Sequence, residues 1–170
     1  MPPKKKFKEI TDLGLAQCMQ AIFENSQRSH ANHEKNIHEM CTIQTGKPAD
    51  AFNAIFESLV NNVLIHFKRE PAIERCIEFI VKFATSCGDS FFLNHFIYYL
   101  LSISGAKDKA VRFRVTQMIS KLLNSLDDDA ELEDDLYTSM QKLMIIRIGD
   151  KVPLIRIHAM MAVSRLQVNA

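Results

Sequence analysis

Glycine and proline are scarce in this chain, with 5 of each among 170 residues. So few turn formers favour helices joined by short loops. The five glycines are isolated, which leaves no Gly-rich loop to cradle a phosphate, and neither a Gly-x-Ser-x-Gly elbow nor a His-Glu-x-x-His motif occurs. No apolar run approaches the length of a membrane span, and the basic start is not followed by a hydrophobic signal core. No membrane partner is therefore expected. Cysteine is sparse too: Cys18, Cys41, Cys76 and Cys87 show no CxxC spacing and read as small apolar residues, not a disulfide framework. Strong net charge is also missing, because 21 basic and 20 acidic side chains leave +1. Total charge alone makes no case for nucleic acid.

What is present is a repeated apolar stripe in a chain that is 47% hydrophobic. From His33, Ile73, Val111 and Ile155, steps of 4, 7, 8 and 11 residues meet the same kind of side chain. The four sets are Ile37, Met40, Cys41 and Gln44; Ile77, Ile80, Val81 and Ala84; Val115, Met118, Ile119 and Leu122; and Ala159, Ala162, Val163 and Leu166. That spacing is one face of a 3.6-residue helix. The starting points lie 40, 38 and 44 residues apart, a period that signals HEAT or armadillo arrays. The expected fold is an all-α solenoid of about four antiparallel helix pairs.

The expected domain plan is a basic disordered tail over 1–8 and a HEAT-repeat solenoid over 9–170. Within it, helices are predicted at about 9–25, 32–44, 50–68, 71–87, 91–104, 109–126, 134–148 and 153–167. Leu13, Met19, Ile22 and Phe23 are expected to be buried by the first. Pro71 and Pro153 suit first-turn positions, where the missing N–H has no partner to lose. Gly88 reads as a left-handed cap, and Asp89 as the N-cap that follows it. Charge changes sign along the chain, with sixteen basic and twelve acidic residues up to 126 and five against eight after it. The change falls at the acidic stretch Asp127–Asp135, which reads as a solvated loop feeding carboxylates to a helix N-terminus.

Asp150-Lys151-Val152-Pro153-Leu154-Ile155-Arg156 resembles the HEAT pattern in which an Asp precedes a Val-Arg pair opening the second helix. Arg112 shares the repeat position of Arg156, and Asp150 and Arg156 are expected to form a structural ladder between turns. The one cluster with metal-ligating residue types is His30, His33, His38 and Cys41. Its spacing fits no zinc arrangement, and on a helix His33 and Cys41 share a face from which His38 points away. No metal and no other cofactor are expected.

From Lys68 onward, three blocks carry a family resemblance. They are Lys68-Arg69-Glu70-Pro71-Ala72-Ile73-Glu74-Arg75 with Ile77-Glu78-Phe79, Ala110–Val115 with Lys121–Ser125, and Val152–Ile157 with Ala162–Gln167. Together the blocks resemble the N-terminal HEAT region of the condensin complex subunit 3 family, the G-type non-SMC subunits. The resemblance implies a curved HEAT solenoid bound by the condensin kleisin subunit and, through it, joined to the SMC subunits. It also implies contact with double-stranded DNA in chromosome condensation during mitosis. The nucleus and chromosomes, with a cytoplasmic pool, are the implied location. ATPase chemistry would belong to the SMC subunits, so no catalytic residue and no small-molecule substrate are expected here. Family members are several times longer, which leads to the expectation of a fragment or short form with an uncovered apolar face at its end.

The residues expected to meet DNA are Lys68, Arg69, Lys107, Lys109, Arg112 and Arg114, gathered at successive inter-helix turns on one rim. Such contacts position a duplex without reading its bases. Two rival readings remain: a protein–protein adaptor with no DNA binding, and an enzyme with a metal at the histidine cluster. Replacing both His33 and Cys41 should leave metal content at background, as it is in the wild type. Stoichiometric zinc in the wild type, lost in the double variant, would favour the enzyme.

Overall fold

Eight α-helices follow one another among the described residues, with no strand between them. They are α1 (Pro3–Arg28), α2 (His33–Thr45), α3 (Ala49–Leu64), α4 (Pro71–Ser86), α5 (Ser90–Ile103), α6 (Lys109–Ser125), α7 (Asp134–Ile148) and α8 (Pro153–Val168), and a 3₁₀ turn, His30–Asn32, leads into α2. The computed structural model describes the backbone of residues 3–168 and the side chains of residues 13–166. None of these helices is long and apolar enough to cross a membrane.

Local chemistry sets most of the boundaries. Pro71 occupies the first turn of α4 behind an extended Glu70. Asp89 and Asp108 cap α5 and α6, their carboxylates accepting the N–H groups of Phe92 at 3.0 Å and Ala110 at 2.6 Å. Gly88 ends the approach to α5 at φ +69°, where a side chain would be strained. Six helices lie within a residue or two of their expected bounds, and two differ. α1 starts at Pro3 and takes in residues 3–8 of the expected tail, whose side chains lie outside the described residues, as do Met1 and Pro2 altogether. α3 ends at Leu64, not Lys68, because the carbonyls of His66 and Lys68 are taken by a side chain from α6.

The helices stack as antiparallel pairs in two layers. α4 packs on α2 and α6, and α6 on α8, while α1, α3, α5 and α7 line up behind them. The repeated stripe is the seam of the even layer: Ile77, Ile80, Val115, Met118, Ile119, Leu122, Ala159, Ala162 and Leu166 are all buried. Its first copy turns polar because α1 and α2 are joined by hydrogen bonds instead. There His33 Nε2–H donates to the Ser26 carbonyl at 3.0 Å, and Asn36 donates to Ser26 Oγ at 2.8 Å.

Core composition changes along the stack. In the first half Phe56 is the hub, with ring centroids 5.6, 5.4, 5.2 and 5.5 Å from Phe23, Phe83, Phe92 and Phe96. In the second half Ala159 and Ala162 on α8 are fully buried, which brings the α8 backbone close to α6. Leu13 does not join this core and is 62% exposed. Leu15, Met19, Ile22 and Ser26 form the buried face of α1, and Leu13 sits about 200° around the helix from Leu15.

Ile119, on the α6 stripe, lies at 0% exposure, so Ile119→Ala should cost about 2–5 kcal/mol. Leu13→Ala should leave the thermal midpoint unchanged. Circular dichroism melts of the two variants check both expectations, and a similar midpoint shift in each would contradict this division of α1 and α6.

Candidate nucleic-acid interface

Because the helices alternate in direction, the turns within pairs collect along one edge and the turns between pairs along the other. The first edge carries residues 29–32, 65–70, 104–108 and 149–152; the second carries 46–48, 87–89 and 126–133. Lys68, Arg69, Lys107, Lys109 and Lys151 are exposed at or beside the first edge. Asp127, Asp128, Asp129, Glu131, Glu133, Asp134 and Asp135 are exposed at the second. Glu70 and Asp108 are exposed on the first edge as well, so its positive excess is modest, whereas the second edge is strongly acidic at 127–135.

Arginines bind the turns of the basic edge to one another. Arg75 Nε donates to the Gln27 carbonyl at 2.6 Å, tying the start of α4 to the end of α1. Arg114 donates to the His66 and Lys68 carbonyls, both at 2.7 Å. Arg112 pairs with Asp150 at 3.0 Å and donates to the Lys107 carbonyl at 2.6 Å. Arg147 reaches the Ser104 carbonyl at 2.5 Å and Asp150 at 3.4 Å. Each bond supplies a donor to a turn carbonyl or carboxylate that helix geometry leaves unpaired.

This network divides the six expected DNA contacts. Lys68, Arg69, Lys107 and Lys109 keep exposed side chains, with Arg69 only loosely near Glu74 at 3.9 Å and Lys109 stacked 4.7 Å over the Phe67 ring. Arg114 does not: its side chain is 0% exposed, and besides the two carbonyls it holds Glu74 at 2.6 Å and Gln117 at 2.8 Å. A guanidinium so enclosed has no surface to offer a phosphate, and it leaves the ridge. Arg112, 18% exposed and engaged on Asp150 and Lys107, is likewise turned to the neighbouring turn. Asp150 accepts the Val152 N–H at 3.0 Å as well, and Arg156 donates to the carbonyls of Asp150 and Lys151 at 3.0 and 3.3 Å.

Electrostatics follow from these contacts. Burial pushes the Glu74 carboxyl up, but the hydrogen bonds from Arg114 and Gln117 and the charges of Arg114 and Arg69 outweigh it, so its pKa lies below the ordinary value. Asp150 is lowered in the same way, burial being outweighed by Arg112, the Val152 N–H and Arg147. His158 is held below the ordinary imidazole value by burial, and then by the charges of Lys121 and Arg69.

The histidine cluster lines one open cleft of about 1090 Å³ between α2 and α4, with Lys35 and Lys82 beside it. His33 is buried and bonded to Ser26, and His30 Nδ1 lies 3.0 Å from Glu78. Among the described residues no three His, Cys, Asp or Glu side chains are grouped to hold a metal. Arg75, Arg147 and Lys151 belong to this edge, although no motif in the sequence marks them for it. Their common signal is position, near the start of an even helix, just before it or at the end of an odd one.

Arg114→Met removes the buried charge, leaves Glu74 with only the Gln117 amide and the more distant Arg69, and should cost roughly 3–5 kcal/mol. Since Glu74 has a folded pKa below its ordinary 4.5, its stabilisation is complete above that pH and lost as pH falls through the folded value. Glu74→Gln should therefore flatten the drop in thermal midpoint between about pH 5 and pH 3. An unchanged acid profile would deny the pairing a part in stability.

No family model matches the chain. Curated relatives do. It is 38% identical over 157 residues to condensin complex subunit 3 of Homo sapiens, covering 85% of this chain and 16% of that protein. It is 35% identical over 167 residues to the Xenopus laevis protein of the same name, covering 91% of this chain and 16% of the relative. The chain thus spans about one sixth of the length of the relatives it matches. The crystal structure of the Schizosaccharomyces pombe condensin Cnd3–Cnd2 subcomplex superposes with a TM-score of 0.76 at 29% identity, covering 89% of this chain and 20% of the matched one. Stacked helix pairs, the repeated stripe and these matches agree: by sequence and by HEAT-repeat fold, the chain is homologous to a segment of condensin complex subunit 3.

Proposed function

We propose that this chain is a non-catalytic HEAT-repeat part of a condensin complex, which engages the kleisin subunit and holds duplex DNA along its basic edge. The observation that carries the DNA reading is the exposure of Lys68, Arg69, Lys107 and Lys109 on consecutive turns, while the arginines between them are consumed in holding those turns. Flexible ammonium groups on rigid turns suit a phosphate backbone, and the acidic stretch on the far edge would repel a duplex there and so orient it. The kleisin reading is supported by the similarity to the Cnd3–Cnd2 subcomplex. SMC subunits would join through the kleisin and supply the ATPase. The setting would be mitotic chromosome condensation, on chromosomes in the nucleus with a cytoplasmic pool.

A protein-only adaptor is favoured by a different observation. Ile146, Ile157, Met160 and Met161 on α7 and α8 are each about half exposed or more, an apolar surface suited to another protein. Lys68→Glu, Arg69→Glu, Lys107→Glu and Lys109→Glu combined should weaken binding of a mixed-sequence duplex on the order of tenfold or more at 0.1 M salt. The same variant should lower the salt slope by about 0.9 for each phosphate no longer neutralised, with helicity intact. Equal affinity of variant and wild type at low salt would overturn the DNA reading in favour of the adaptor.

A further inference from the structure

The open cleft of about 1090 Å³ between α2 and α4 is lined from His30 to Cys41 on one side and from Lys82 to Ser86 on the other. His33, in its wall, is 2% exposed. Its Nε2 lies 3.0 Å from the Ser26 carbonyl, which only accepts, so Nε2 carries the proton. Burial, joined by the charges of Lys82 and His30, outweighs the Ser26 hydrogen bond and holds the ring below the ordinary imidazole value. The ring is therefore neutral near pH 7, and Nδ1 is a lone pair, buried and without a hydrogen-bond partner among the described residues. A buried acceptor left in this state destabilises the fold until a donor reaches it. His30, edge-on to His33 at 5.1 Å, has a side chain 57% exposed and is free to turn aside as a ligand enters. Two hydroxyls lining the cleft are acceptors as well. Thr85 Oγ1 donates its proton to the Val81 carbonyl at 2.9 Å and Ser86 Oγ donates to the Lys82 carbonyl, which leaves each oxygen only lone pairs to offer.

An occupant of this cleft must bring donors. A nucleic-acid phosphate brings none, because its diester oxygens only accept. A cationic donor is repelled by the exposed ammonium groups of Lys35 and Lys82, which outnumber the one carboxylate of the lining, Glu34. A peptide meets both demands, with backbone N–H groups for the acceptors and acidic side chains for the ammonium groups. Ile37 and Cys41, half-buried in the same lining, add apolar contact. α2 has 13 residues and is about 20 Å long, the span of roughly six residues of extended chain. We propose that the cleft is a docking groove for an acidic, extended peptide segment of a partner protein, with one of its N–H groups completing His33 Nδ1 and its carboxylates meeting Lys35 and Lys82. This contact is separate from the exposed lysines of the basic edge, and it holds or fails independently of the duplex reading.

The test selects phage-displayed random peptides of about six residues on the full 170-residue chain. Acidic sequences should be enriched. A synthetic copy of the most enriched one should bind Lys35→Glu combined with Lys82→Glu about tenfold or more weakly than wild type. The milder pair Lys35→Ala and Lys82→Ala should weaken it about threefold. Both lysines are exposed, so both variants should keep the wild-type melt. In parallel, the His33 Nδ1 resonance read by nitrogen NMR, which moves when its lone pair accepts a hydrogen bond, should shift with the peptide. It should stay in place with a mixed-sequence duplex at equal concentration. No enrichment, enrichment of basic sequences, or equal affinity of wild type and both variants for the peptide overturns the groove. A His33 resonance unmoved by bound peptide overturns the docking on Nδ1 and leaves that atom to a buried water. An equal shift with the duplex overturns the assignment to a peptide.

Discussion

The guanidinium of Arg114 has no contact with solvent, and the shape of the basic edge depends on how that buried charge is satisfied. A cation removed from water is costly unless every donor finds an acceptor and a counter-charge lies close. Glu74 supplies the charge, and Gln117 and the carbonyls of His66 and Lys68 supply the remaining acceptors. Those carbonyls belong to the turn after α3, which stops short of its expected end and bends toward α6. Lys68 and Arg69 therefore project from a turn clamped from beneath. A residue expected to touch DNA directly instead sets the position of two that remain exposed.

The same logic recurs along the stack with different members. Arg75, Arg112 and Arg147 each join one turn of the edge to another part of it, so the edge is braced by long side chains reaching backbone and carboxylate oxygens. Beneath it the stripes close the layers, through interlocking phenyl rings in the first half and through buried alanines where α8 approaches α6. Carboxylates gather at the opposite edge. A chain with nearly no net charge thereby acquires one strongly acidic edge and an opposite edge with a modest basic excess, a property that composition cannot express.

Much of the fold is legible in the sequence because its signals are local. The stripe positions follow from helix geometry, so any residue at a repeated offset from Ile73, Val111 or Ile155 shares their face, and the caps at Asp89 and Gly88 act within a few residues of themselves. Leu13 departs from expectation because a leucine within a helix says nothing of which side faces the core until the neighbouring apolar positions are phased together. The polar first repeat has no reading in the sequence alone, since His33 and Asn36 find their partners on α1.

The candidate site divides along the same line. From the sequence alone came the helical repeat, the turns at which basic residues gather, and the resemblance in the blocks from Lys68 onward. Only the tertiary structure decided which of those residues stay in solvent. Arg112 and Arg114 are two positions apart on α6 and about 200° apart around it, so one meets Asp150 of the next turn and the other is enclosed against the preceding one. Their residue type and their distance from a turn are alike. Their fates differ because each is settled by a partner roughly forty residues away, and that partner's position is set by the stacking of whole helices.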